Sequence, residues 1–156
     1  MIAAVAVAET GMESQLLIAG IGGHTVGIRV GQVLQILEDR ELGPVPRAPG
    51  AVVGVFNLRG RVVTAIDLRA RLGLAPVAHD HRHTLVVVTA GTHLYALRVD
   101  GVAGLTDLPD SGMERLPSTI APEWREIFLG LFRLGEHLVL VLDLERVLDF
   151  GPVPAQ

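Results

Sequence analysis

Two aspartates in matching surroundings could share a proton. Asp67 follows Val62-Val63-Thr64-Ala65-Ile66, and Asp143 follows Leu138-Val139-Leu140-Val141-Leu142, 76 positions later. A carboxylate dyad would need the two groups face to face within a few ångströms. Each instead stands where an apolar run gives way to leucines four apart, Leu68 and Leu72 or Leu144 and Leu148. An aspartate in that place caps the free N–H groups of a short helix, an effect worth about 1 kcal/mol. Capping accounts for both residues without requiring them to meet.

Other candidate chemistry meets similar objections. His79, His81 and His83 could offer three imidazoles to zinc or nickel along an extended edge. They fall in or just after a polar link, Gly73 to Arg82, with Asp80 the carboxylate among them. A metal centre needs converging ligands and a supporting shell, so a link is the expectation. Gly20-Ile21-Gly22-Gly23 resembles a phosphate loop, but a helix must follow such a loop. Val26 to Val30 reads as a strand, and the chain has no lysine to reach a phosphate. His24, His93 and His137 stand alone beside turns, and Ser14, Ser111 and Ser118 lie outside any nucleophile elbow. With no cysteine there is no disulfide or thiol chemistry. The expectation is a protein with no catalytic residues, no metal and no cofactor.

What remains unusual is Asn57-Leu58-Arg59-Gly60. It belongs to a repeat: Gly54-Val55-Phe56-Asn57-Leu58 returns as Gly130-Leu131-Phe132-Arg133-Leu134 without a gap. Upstream, Ile28-Arg29-Val30 and Val33 return as Leu97-Arg98-Val99 and Val102, 69 positions on. Repeated residues serve a repeated fold, so the places where the copies differ are the informative ones. Arg133, Gly135 and Glu136 stand where Asn57, Arg59 and Gly60 do, while the leucine is kept. Arg59 on a Gly-ended turn would present a fork of donors to a partner's carboxylate.

The elements that must hold this turn are short. Leu16–Ile21, Val26–Val30, Val33–Leu37, Arg61–Ile66, Thr84–Thr89, Leu94–Val99 and His137–Leu142 read as strands. Gly22-Gly23 and Ala90-Gly91-Thr92 read as hairpin turns. The run from Thr92 to Val99 alternates, predicting one buried and one wetter face. Brief helices are expected over Leu68–Leu72 and Leu144–Leu148, with another turn after Pro122. Many short strands in two similar sets predict a mainly β, pseudo-duplicated fold of paired, partly open barrels with a few short helices.

Composition narrows the function. The chain has 156 residues, 49% of them hydrophobic, and a formal net charge of −4. That balance, with one Trp, one Tyr and four Phe, speaks against a nucleic-acid surface, which needs a basic footprint and stacking rings. Met1 to Ala8 is apolar without a positive flank, and no run reaches membrane length. A cytoplasmic protein without membrane insertion is the expectation.

The stretch from Val53 through Asn57-Leu58-Arg59-Gly60 to Asp67-Leu68-Arg69 closely resembles the signature of CheW-type chemotaxis coupling proteins. Val99-Asp100-Gly101-Val102 and Leu140-Val141-Leu142-Asp143-Leu144 resemble that family too, and the likeness runs from about Leu16 to Leu148. It implies a single CheW-like domain over 13–152, after a tail of residues 1–12. The domain would hold two SH3-like five-stranded β-barrel subdomains, 13–76 and 83–150, with the N-terminal segment packing across them. It also implies a non-enzymatic adaptor, recruited to membrane-associated receptor arrays. The implied partners are the regulatory domain of the histidine kinase CheA and the cytoplasmic tip of methyl-accepting chemoreceptors. By position, Asn57, Leu58, Arg59 and Gly60 match the coupling motif, while Val33 and Gln35 lie in a strand that contributes to receptor contact. The family often has glutamate where Gln35 stands; glutamine can hydrogen-bond Arg59 but cannot form the ion pair. Two other readings of the sequence are a ligand- or peptide-binding β-barrel outside chemotaxis and a carboxylate-dyad hydrolase.

Overall fold

Strands too short to stand alone gain stability here by pairing across the two halves of the sequence. The computed structural model describes residues 15–76, 82–109 and 112–149. In chain order the strands are β1 (Gln15–Ile21), β2 (His24–Arg29), β3 (Val33–Glu38), β4 (Val52–Leu58), β5 (Arg61–Asp67), β6 (Thr84–Ala90), β7 (His93–Val99), β8 (Gly101–Asp107), β9 (Phe128–Leu134) and β10 (His137–Leu142). Three four-residue helices accompany them: α1 (Leu68–Arg71), α2 (Pro122–Arg125) and α3 (Leu144–Val147). β4, β8 and β9 were not foreseen as strands. Each contains a glycine, Gly54, Gly101 with Gly104, or Gly130, which weakens a strand signal, and each borders a bulge or a sheet edge.

The strands form two five-stranded sheets, in the orders β8-β1-β2-β10-β9 and β3-β6-β7-β5-β4. The expected division into contiguous subdomains, 13–76 and 83–150, is therefore not how the strands sort. Each sheet takes one hairpin, β1–β2 or β6–β7, from one half and its other three strands from the other half. The reason lies in the register: β10 runs parallel to β2, and β5 runs parallel to β7. Parallel neighbours cannot be joined by a tight turn, so the partner must come from elsewhere in the chain.

Three apolar clusters result. The largest lies between the sheets and draws on both, with Leu17, Ile28, Ile66, Leu97, Phe128 and Leu140 among its members. A second fills the opposite face of the β3–β7 sheet around Phe56, Val63, Leu85 and Ala96. A third, around Leu16, Ile18, Phe132 and Val141, does the same for the other sheet. Along β7, Leu94 and Ala96 face one cluster and Leu97 and Val99 another. The one-sided alternation expected there is thus replaced by burial on both faces.

The repeated glycines answer to a repeated close approach. After β3 the chain comes round to the outer edge of β4, where Gly43 and Val55 exchange backbone hydrogen bonds of 2.7 and 2.9 Å. Glu114 and Leu131 do the same on β9, at 2.7 and 3.0 Å. A Cβ on Gly54 would stand 2.6 Å from the Leu42 Cβ and 2.7 Å from the Gly43 oxygen; on Gly130 it would stand 2.7 Å from the Glu114 oxygen. Replacing either with alanine should lower stability by about 1–3 kcal/mol, the usual cost of overpacking against atoms that cannot yield. Urea denaturation checks this, with Gly20→Ala as the control, since a Cβ there meets nothing within 4 Å. Equal stability for all three variants would refute the crossing.

Candidate functional site

The Asn57–Gly60 segment is the tip of the β4–β5 hairpin. Leu58 pairs with Arg61, leaving Arg59 and Gly60 as a two-residue loop with φ of 52° and 86°. Positive φ at both positions is the type I′ pattern that suits the right-handed twist of a hairpin. Arginine enters it at a cost, because a Cβ crowds the following carbonyl in left-handed backbone. The Asn57 carboxamide oxygen accepts a hydrogen bond from the Gly60 N–H at 2.9 Å, holding the loop closed. Leu58 packs inward against the Phe56 cluster. Arg59 is exposed, and among the described residues its guanidinium makes no hydrogen bond or ion pair.

Parallel pairing of β5 with β7 sets this tip beside the β6–β7 turn. Arg61 reaches across and donates to the Thr92 carbonyl at 2.9 Å. That brace was missed in the sequence, since nothing in the spacing of 61 and 92 announces parallel neighbours. Val62 lies next to it, 53% exposed.

The other two candidate positions lie elsewhere. Val33 and Gln35 are on β3, the opposite edge of the same sheet from β4. Val33 is buried in the cluster between the sheets, Gln35 is half-buried, and the bulge between them turns Leu34 out to 51% exposure. Among the described residues no hydrogen bond joins Gln35 to Arg59, so the brace that glutamine could have formed is not made. The tip's support comes from Asn57 and Arg61 instead.

The second copy has a different tip. Gly135, with φ of 62°, leads its loop and Glu136 follows, so glycine rather than arginine takes the first left-handed position. Beside this tip lies a cleft of about 430 Å³, lined by His24, Pro117, Ile120, Glu136, His137 and Leu138 among others. The His24 ring meets Trp124 edge-on at 4.7 Å, and the Trp124 indole N–H donates to the Leu72 carbonyl at 2.9 Å.

The aspartates are engaged locally. Asp67 Oδ1 accepts from the Arg69 N–H at 3.0 Å, the expected cap. Asp143 occupies the matching position without a side-chain cap bond; its carboxylate faces Arg146 at 3.4 Å instead. His83 is buried, its Nδ1 3.3 Å from Asp39 Oδ2, while His79 and His81 lie outside the described residues. Among the described residues no three His, Asp or Glu side chains converge as metal ligands, and no helix is long and apolar enough to cross a membrane.

Comparison with known proteins places this architecture. Residues 15–150 match the model of the CheW-like domain. A chemotaxis protein CheW from Klebsiella aerogenes is 28% identical over 135 residues, covering 86% of this chain and 81% of that protein. A probable chemotaxis protein CheW from Rhizobium etli is 26% identical over 135 residues, covering 86% and 87%. The crystal structure of scaffolding protein TtCheW from Thermoanaerobacter tengcongensis superposes with a TM-score of 0.78 at 18% identity, covering 88% of this chain and 94% of that one. It shares the fold.

The strain at the tip is directly measurable. Arg59→Gly should raise stability by up to about 1 kcal/mol, the left-handed penalty less the entropy glycine adds to the unfolded chain. Asn57→Ala should lower it by about 0.5–1 kcal/mol for one lost hydrogen bond. Chemical denaturation of both variants checks the pair; a destabilised Arg59→Gly would contradict the loop conformation.

Proposed function

The chain belongs to the CheW-like domain family, and from that premise we propose that it is a chemotaxis coupling scaffold acting through the Arg59 hairpin. The finer reading is that it joins the regulatory domain of a CheA-type histidine kinase to the cytoplasmic tip of a chemoreceptor, within a membrane-associated array. The observation that carries this is the family match over residues 15–150. Relatives named as chemotaxis proteins support it.

Within that reading the residues divide by role. Arg59 supplies the contact: the closed loop fixes its backbone, and its exposed guanidinium offers a fork of donors to a carboxylate. Asn57, Gly60 and Leu58 hold the loop that presents it. Val33 anchors the far strand, so that Gln35 and the exposed Leu34 form a separate patch on the opposite edge. In this reading, which rests on the family match, the protein acts as an adaptor; its repeated aspartates are engaged locally, Asp67 capping α1 and Asp143 facing Arg146. A ligand- or peptide-binding module outside chemotaxis is the second reading, and the cleft beside the Gly135-Glu136 tip is what favours it. Saturable small-ligand binding with neither kinase nor receptor engaged would select that second reading.

Arg59→Ala should weaken binding to the kinase regulatory domain or the receptor tip by about tenfold or more, the loss of one charge-assisted hydrogen bond. Its circular dichroism and melting temperature should stay at or above those of the parent. Titration calorimetry against each partner decides it. Unchanged affinity for both would remove Arg59 from the site.

A further inference from the structure

Of the eight strand pairings in the two sheets, the four within a half of the chain are all hairpins: β1–β2, β4–β5, β6–β7 and β9–β10. The other four, β1–β8, β2–β10, β3–β6 and β5–β7, all cross between residues 15–76 and residues 82–149. A half by itself therefore contains nothing wider than a two-stranded hairpin, which is marginal in water. Side-chain bonds cross the same boundary. Arg69 grips Asp100 through two hydrogen bonds, at 2.9 and 3.2 Å. Arg71 donates to the Val147 and Arg146 carbonyls at 2.8 and 2.7 Å, satisfying the open end of α3. The cluster between the sheets is built from both halves. Each half is thus the complement of the other, and the peptide link between them contributes proximity to seams that are otherwise non-covalent.

Nothing in those seams distinguishes a complementary half on the same chain from one on another copy. We propose that a second copy of this chain is a partner through them. Residues 15–76 of one copy pair with residues 82–149 of the other, and the reverse, giving a half-exchanged dimer with two complete two-sheet bodies. Exchange of identical elements between protomers creates no new contact surface, so the dimer keeps every seam of the monomer. The link sets the balance. A short tether gives an effective concentration on the order of millimolar, so exchange competes when chains fold together near that concentration. This inference does not depend on which partner Arg59 engages.

The test uses the full chain, which has no cysteine of its own. Gln15 and Asp107 are register partners at the outer end of the β1–β8 seam. One preparation carries Gln15→Cys and another Asp107→Cys; the two are mixed, unfolded and refolded together at roughly 1 mM and at roughly 1 µM, spanning the tether's effective concentration, then oxidised. At the higher concentration a dimer should form that persists on dilution and carries the mixed disulfide between the two variants. Its share should fall by orders of magnitude at the lower concentration. The same variants folded separately and mixed afterwards should give little of it. Monomer at both concentrations, or no more mixed disulfide than in the separately folded sample, would overturn the proposal.

Discussion

Four hydrogen-bonded seams between the halves of the chain hold everything else in place. Two of them, β2 with β10 and β5 with β7, are parallel, and both place a hairpin tip from one half beside a turn from the other. That is how the Arg59 tip comes to lie next to Thr92, and how the Glu136 tip comes to line a cleft with His24. The same seams bury both faces of the central strands. Each fully buried Leu, Ile or Val contributes about 1.5–3 kcal/mol, so pulling the halves apart would expose the largest of the three clusters at a cost no surface contact could offset.

The short helices depend on the seams as well. A four-residue helix leaves nearly all its terminal groups unmatched, and here the missing partners come from the opposite half. Arg71 supplies donors to the end of α3, and Trp124 supplies one to the Leu72 carbonyl at the end of α1. Asp100 accepts from the Gly22 N–H while holding Arg69, tying a turn of one sheet to a helix beside the other. Local sequence starts these helices, and long-range contacts finish them.

Much of this was legible in the sequence, to a depth set by the range of the interaction concerned. The repeat of Gly54 as Gly130 was visible at once, whereas the backbone crossing that requires both glycines was not, since it involves Gly43 and Glu114 from distant segments. A repeat says which strands are alike and is silent on which copy they pair with, so the exchange of hairpins lay beyond it. Asp67 capped its helix as its position implied; Asp143, in matching sequence, found Arg146 instead. The candidate site was legible as a divergence at Asn57, Arg59 and Gly60. Its left-handed arginine was hidden because Arg-Gly carries a weaker turn signature than Asn-Gly, and the separation of Gln35 from Arg59 follows from strand order alone.

The copies share a scaffold and differ at its tips: one carries a strained, open arginine, the other a relaxed glycine followed by glutamate. That strained position is where the proposed contact residue, Arg59, stands. The most direct measurement is a titration of the isotopically labelled chain with the kinase regulatory domain and with the receptor tip, following backbone amide signals residue by residue. For at least one partner, the largest changes should centre on residues 57–62 and spread to the 91–93 turn. Changes confined for both partners to residues 133–138, with the Arg59 hairpin silent, would contradict the account.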